Sequence, residues 1–298
     1  MTGHTKLQAT IQIGPPTLRV KDLQQELLFY EDGMGLRVNR RFFNNEELEI
    51  VELGFKGNNE KPLLVLKHDP NANRPPNDFA GLFHFAILVP DRKSLASTLV
   101  ALKKSGISFD GFADHLVSES LYLHDPEQNG IEIYRDRPKS EWRRDKKGLI
   151  MMDTLPLDLE SLLADLTDEE KKGAIAFPSG TRIGHMHLRV TNLERSLQFY
   201  EEKLGFKLTA DWSAYGADFV AWADYHHHIG INTWYSLNGK HHANGESGLD
   251  QFAITLPHAA SLEVLKENVL DSILQTRNGE ELLLEDPDGI RIVVSVSS

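Results

Sequence analysis

The sequence predicts an α+β chain of four βαβββ units that form two paired half-barrel sheets. The first observation behind this is internal repetition. Leu18-Arg19-Val20 recurs as Leu188-Arg189-Val190, and the same offset of 170 places Phe29-Tyr30 on Phe199-Tyr200 and Gly35 on Gly205. With an offset of 167, Gly81-Leu82 and Phe85-Ala86-Ile87 recur as Gly248-Leu249 and Phe252-Ala253-Ile254; further on, at an offset of 161, Asp125-Pro126 returns as Asp286-Pro287. The two halves are related copies. The second observation is that each half divides again into a short apolar strand, a helix and further strands.

In chain order, the first unit (about 11–67) opens with the strand Leu18–Val20, then a helix headed by Asp22 with Leu23 and Leu27 on its inner face. The second (about 82–136) opens with Phe85–Val89. The third (about 183–236) opens with Leu188–Val190. Asn192 caps its helix, and Leu193, Leu197, Tyr200 and Leu204 recur near helical spacing. The fourth (about 249–297) opens with Phe252–Leu256. Behind each helix, runs rich in Val, Ile, Phe and Tyr with turn residues between them read as strands. The domains expected are an N-terminal half (1–136), a connector (137–180) and a C-terminal half (181–298). In the connector, Leu159, Leu162, Leu163 and Leu166 predict one amphipathic helix inside an acidic stretch.

Composition narrows the function. The 298 residues are 40% hydrophobic and 26% charged, a globular balance long enough for two domains. With 32 basic and 44 acidic side chains the net charge is −12, which opposes binding to nucleic acid. Apolar runs are far shorter than a membrane span. No basic start followed by an apolar stretch opens the chain, so a cytoplasmic protein is expected. The absence of cysteine excludes disulfides, thiolate metal sites and cysteine nucleophiles, whereas 13 histidines point toward imidazole chemistry.

A cupped sheet aims every second side chain at a central ligand. His84, five residues before Val89, and His185, five before Val190, occupy equivalent repeat positions, where units one and four carry Pro15 and Gln251. Glu132 stands between Ile131 and Ile133 on an expected last strand. A carboxylate aimed into a core is costly unless paired or coordinated. Arg135 or Arg137 would be the structural partner. With His84 and His185 it instead completes a two-histidine, one-carboxylate triad suited to non-haem Fe(II). The fourth-unit equivalent of Glu132 reads as Arg291.

His187 shares the face of His185 and is expected to line the cup. In His226-His227-His228 the first and third face one way, and His228, leading into an apolar strand, is the candidate general base. Tyr122, one hairpin before Glu132, and His115 are candidates for holding a substrate oxygen. Trp234 and Met186 are candidate pocket walls or core. His241-His242 reads as a surface patch.

On these motifs the chain resembles the vicinal oxygen chelate superfamily (glyoxalase, bleomycin resistance and dioxygenase proteins). Within it, the likeness is to the type I extradiol, catechol 2,3-dioxygenase-like enzymes. The carrying segments are Gly184–Val190, Leu82–Asp91, Tyr122–Glu132 and Tyr225–Gly230. The resemblance implies His84, His185 and Glu132 as ligands of Fe(II), with Mn(II) the alternative metal, His228 as acid/base and Tyr122 as the positioning hydroxyl. It implies a small aromatic diol of catechol or hydroquinone type and O2 as substrates. In the familiar enzymes the triad comes from units three and four, whose equivalents here are His185, Gln251 and Arg291. The complete set arises only if units two and three share one cup, leaving units one and four a vacant one. A homodimer that forms the site across two chains is the competing arrangement. The rival functions are a glyoxalase-like isomerase or lyase, which would want a fourth protein ligand near His228, and a non-catalytic small-molecule binder.

Overall fold

The computed structural model describes residues 11–55, 62–76, 78–241, 243, 245–277 and 281–297. The start of the chain and His242 lie outside these residues. Among the described residues, two nine-stranded sheets organise the fold. One is built from units two and three, with a short edge strand from the connector. Its strands run Leu155–Pro156, Gly111–Asp114, Ser118–His124, Gly130–Asp136, Gly81–Leu88, Arg182–Arg189, Ile229–Asn232, Ala217–Ala221 and Lys207–Trp212. The other joins units four and one through antiparallel pairing of Gly248–Leu256 with Thr17–Val20. The equivalent junction of the site sheet pairs Gly81–Leu88 antiparallel with Arg182–Arg189, bringing His84 opposite His187 and Ala86 opposite His185. Units two and three therefore share a cup within one chain.

Strand alternation separates core from cup. Phe85 and Ile87, Ile131 and Ile133, and Met186 and Leu188 are buried in the principal hydrophobic core, which draws on both sheets. Their neighbours His84, Glu132, His185 and His187 take the opposite face. Met186 is thus core, and only Trp234 of the two candidate walls reaches the cavity.

The helices form where their caps demand. Asp22, Asp91 and Asn192 each accept a hydrogen bond from the third residue onward, Gln25, Ser94 and Arg195, satisfying a donor that the first turn leaves open. In units one and three the helix widens into a π-turn, Leu28–Gly33 and Phe199–Lys203, and ends before Gly35 and Gly205 at φ +79° and +77°. The two wide turns hold repeat-related tyrosines. Tyr30 donates its hydroxyl to Asp125, and Tyr200 donates to Asp286, at 2.9 and 3.1 Å. Each bond links a helix of one sheet to the Asp-Pro turn of the other.

Two sequence expectations change. The parallel register sets Glu132 beside Ala86 and Val293 beside Ala253, so the fourth-unit equivalent of Glu132 is Val293, not Arg291. The turn lengths explain this. Asp286 N–H bonds the Ile290 carbonyl as Asp125 N–H bonds that of Asn129, aligning Ile290 with Asn129. The connector carries two short helices, Leu159–Leu163 and Asp168–Lys172, instead of one. Thr167 and Glu170 form a reciprocal capping box that starts the second afresh, which interrupts the leucine periodicity.

Candidate metal centre

Three adjacent strands supply three side chains. Glu132 projects from Gly130–Asp136, His84 from Gly81–Leu88 and His185 from Arg182–Arg189, and one potential ligand atom of each lies within 4.8 Å of the other two. The His84 and His185 Nε2 atoms are 2.9 and 3.1 Å from the same Glu132 Oε2. Oε1 accepts from the Ser120 hydroxyl at 2.6 Å, so one carboxylate oxygen is tied back and the other is presented. Arg135 and Arg137 do not compete for it. They reach Glu119 on the opposite face of the neighbouring strand.

All three groups are buried. Burial drives His185 down to about 4, so its imidazole is neutral near pH 7, the form that ligates a metal. Burial pushes the Glu132 carboxyl upward, but the facing His185 and His84 rings hold it well below its usual range. The buried His84 Nε2 lacks a properly aligned hydrogen-bond partner despite its proximity to Oε2. A buried polar atom in this condition is costly. A divalent cation between the three atoms would satisfy it, so the residues present fit such an ion.

The triad floors a cavity of about 260 Å³. Its aromatic wall is continuous. Phe83 packs edge-on against His187 and Trp234, and Phe219 against His187, Trp212 and His227, with centroids 4.9–5.7 Å apart. Gly230 lets the His187 ring pack closely beside it, since a Cβ there would stand 3.0 Å from the imidazole and the ring would have to shift slightly. Gly184 similarly admits Tyr134, whose hydroxyl occupies the space of a Cβ and whose ring lies 4.8 Å from that of His185.

Tyr122 and His115 reach the cavity together. His115 Nδ1 lies 2.8 Å from the Asp153 carbonyl, which can only accept, so Nδ1 carries the proton. In the neutral ring Nε2 then accepts from the Tyr122 hydroxyl at 2.7 Å. The connector that supplies Asp153 also supplies Met152 and Thr154 to the cavity.

His228 does not reach the cavity, and the expectation that it faces the cup is corrected. Residues 222–228 leave strand geometry, so alternation cannot be extrapolated back from Ile229. The His228 ring turns toward Tyr225 and its Nδ1 accepts from the Trp222 N–H. Burial takes it down to about 3. His227 lines the cavity in its place, its centroid 4.1 Å from that of His185. Behind it His226 Nδ1 is 2.7 Å from His227 Nδ1, and His226 Nε2 is 2.7 Å from Asp136 Oδ1. The carboxylate takes the Nε2–H of His226. With neutral rings, His226 Nδ1 then accepts from His227 Nδ1–H, leaving His227 Nε2 an acceptor. Burial also pulls His227 well below its usual pKa.

Comparison with known proteins agrees with this geometry. A family profile described as the Glyoxalase/Bleomycin resistance protein/Dioxygenase superfamily matches residues 12–133 and 182–294. The chain is 38% identical over 278 residues to a catechol-2,3-dioxygenase of Bacillus subtilis (strain 168), spanning 92% of this chain and 94% of that protein. Glyoxalase I of Zea mays superposes with a TM-score of 0.58 at 20% identity, covering 96% of this chain and 92% of its own. The cppA protein of Streptococcus pneumoniae TIGR4 gives 0.55 at 13%, covering 96% and 99%. These two likenesses speak to the fold alone. The chain belongs to the glyoxalase/bleomycin resistance protein/dioxygenase superfamily, and within it is an enzyme of the catechol-2,3-dioxygenase kind.

Proposed function

We propose that the protein is an Fe(II)-dependent extradiol dioxygenase that opens a catechol- or hydroquinone-type ring with O2, Mn(II) being the alternative metal. The observation that carries this reading is the convergence of His84 and His185 Nε2 on one oxygen of Glu132 at the floor of an apolar cavity. When bound by these residues, the ion would leave open positions for the diol and O2 and favour the deprotonated diol.

The chain's own groups prepare that chemistry. Ser120 holds the rear oxygen of Glu132 and fixes the carboxylate's orientation. His227, neutral and backed by His226 and Asp136, presents Nε2 to take a proton from a diol hydroxyl and return it later. Asp136 and His226 act as positioning residues. Tyr122, donating to His115, keeps its oxygen lone pairs for a substrate hydroxyl. The aromatic wall flanks the reacting ring and limits water there.

A glyoxalase-like reaction would need a further carboxylate ligand. Among the described residues Glu132 is the one carboxylate lining the cavity, and Ile229–Asn232 contributes none. We place the reaction in the cytoplasm, which the cysteine-free sequence suits. No described helix is long and apolar enough to cross a membrane.

The test is oxygen uptake by anaerobically Fe(II)-loaded protein with catechols and hydroquinones, following product absorbance and using His84→Ala as control. Uptake coupled to product and lost in the control supports the reading. Iron bound without uptake across the panel removes it.

A further inference from the structure

We propose that a cleft between the two sheets is a second binding site, separate from the metal centre, that takes a small organic monocarboxylate between Arg74 and Arg189. The proposal goes beyond the dioxygenase reading and does not depend on it. The cleft has a volume of about 220 Å³. It lies beside Gly81 and Gly248, the first residues of Gly81–Leu88 and Gly248–Leu256, so both sheets border it. Exposed Arg74 and half-buried Arg189 bring two guanidinium groups to its lining. Among the described residues, Phe83 is the one that the cleft shares with the cup.

The repeat separates two related arginines. Arg189 is the third-unit copy of Arg19, 170 residues on. Arg19 donates to Asp69 and Asp250 at 2.8 and 2.7 Å, which closes its guanidinium inside the fold. Asp250 stands at a bulge between Leu249 and Gln251, and Phe83 stands at the matching bulge between Leu82 and His84. Parallel register sets Arg19 beside Lys67 and Arg189 beside Asn232, so Asp69, two residues on, corresponds to Trp234. Both carboxylates are thus exchanged for aromatic rings, which pack edge-on with centroids 5.1 Å apart. The arginine is kept, and where its copy meets internal acids it borders an open cleft.

Electrostatics draws the same contrast. Burial works against the Arg19 charge, but Asp250 and Asp69 more than offset it and hold the group above its ordinary range. Burial and the Arg74 charge both pull Arg189 below that range. An anion between Arg74 and Arg189 would supply what Asp69 and Asp250 supply to Arg19. A guanidinium offers five N–H donors in a planar fork that matches a carboxylate. Glu127 also lines the cleft, its Oε1 accepting from the Lys21 and Asp22 N–H groups at 2.7 and 2.8 Å, and His124 is paired with Asp110. Two guanidinium groups against the one Glu127 carboxylate leave one surplus positive charge, which suits a monoanion better than a dianion. Leu82 and Leu249 add apolar surface for a short hydrocarbon chain. The volume falls below the roughly 300–1,000 Å³ typical of pockets for drug-sized ligands, so the chain must be short.

The experiment is anaerobic titration calorimetry of the iron-loaded protein at neutral pH, in a buffer free of carboxylate and phosphate. Pentanoate is the probe, pentan-1-ol its uncharged match and inorganic phosphate the competing anion. The expected result is saturable binding of pentanoate with a Kd below about 5 mM, at least tenfold tighter than either comparison compound. R74Q and R189Q should each weaken it at least tenfold, and His84→Ala, which removes a triad residue, should leave it within threefold of wild type. Weaker or non-saturable binding overturns the proposal. Phosphate binding as tightly as pentanoate overturns the monocarboxylate class. Binding lost in His84→Ala but kept in R74Q moves the anion to the metal centre and overturns the cleft. Arg74 is exposed, so R74Q decides the outcome if R189Q does not fold.

Discussion

His84 and His185 come from opposite halves of the chain, yet their Nε2 atoms lie 2.9 and 3.1 Å from a single oxygen of Glu132. The antiparallel junction between Gly81–Leu88 and Arg182–Arg189 brings them together. The equivalent junction of the other sheet presents Pro15 and Gln251, with Val293 in place of Glu132. Among the described residues, one duplicated scaffold therefore holds a site that can take a metal in one sheet and an ion-paired cluster of Asp250, Arg19 and Lys67 in the other.

A metal bound at the triad should stabilise the fold by mass action. At a free Fe(II) concentration a hundred times Kd the gain is about 2.7 kcal/mol. Calorimetry under nitrogen should show a raised Tm that a chelator reverses. His185→Ala should abolish the shift, and an equal shift in that variant would place the ion elsewhere.

The two neighbouring histidines should behave differently. His227→Ala should lower kcat by roughly 100-fold or more, the usual range for loss of an acid/base group. Asp136→Asn should give a smaller loss with KM little changed, because it acts through His226. His228→Ala should leave kcat/KM near wild type, since its ring faces its own loop. Stopped-flow and steady-state kinetics on the three variants decide the assignment, and the reverse ranking would restore His228.

One carboxyl pair outside the triad should contribute stability that falls as pH rises. Burial, reinforced by Asp125 and Glu127, pushes Glu26 up to about 9, and burial raises Asp125 to about 6. A raised folded-state pKa means that the native protein binds protons the unfolded chain has released. The contribution is therefore complete below the unfolded carboxyl range and is lost between there and about pH 9. Glu26→Gln keeps an acceptor for the Glu127 N–H and removes the titration. Relative to wild type, it should gain on the order of 5 kcal/mol between pH 5 and pH 9 in urea unfolding. Parallel pH profiles would refute this.

Gly184→Ala should disturb the centre without touching a ligand. The added methyl would displace Tyr134 from beside His185 and break its 2.8 Å bond to the Tyr225 hydroxyl. Overpacking of this kind costs about 1–3 kcal/mol. Urea unfolding should show that loss together with weaker Fe(II) binding, and unchanged values for both would mean that Tyr134 does not support His185.

The pairing of units was legible because repeats carry their junctions with them. Once His84 and His185 occupied equivalent positions, only a shared sheet could unite them. Glu132 stood out for a related reason, as a charge between two isoleucines whose neighbouring arginines lie on the other parity. Register across a turn was harder to read. Matching the glycines of the two turns, Gly289 with Gly130, shifts the fourth unit by two residues and puts Arg291 where the hydrogen-bonded turn places Val293. His227 was hidden by the departure of residues 222–228 from strand geometry. Met152, Asp153 and Thr154 carried no signal, since a connector that folds over a cup leaves no periodicity behind. The role of Ser120 depends on a cross-strand contact that one sequence does not display.

The most direct measurement is mass spectrometry of the product formed from catechol under ¹⁸O2 by the iron-loaded protein, with His84→Ala run in parallel. Incorporation of both heavy oxygen atoms into a ring-opened product, absent from the variant, is the predicted result. A product that carries no label, or one formed equally by His84→Ala, would contradict a dioxygenase centred on His84, Glu132 and His185.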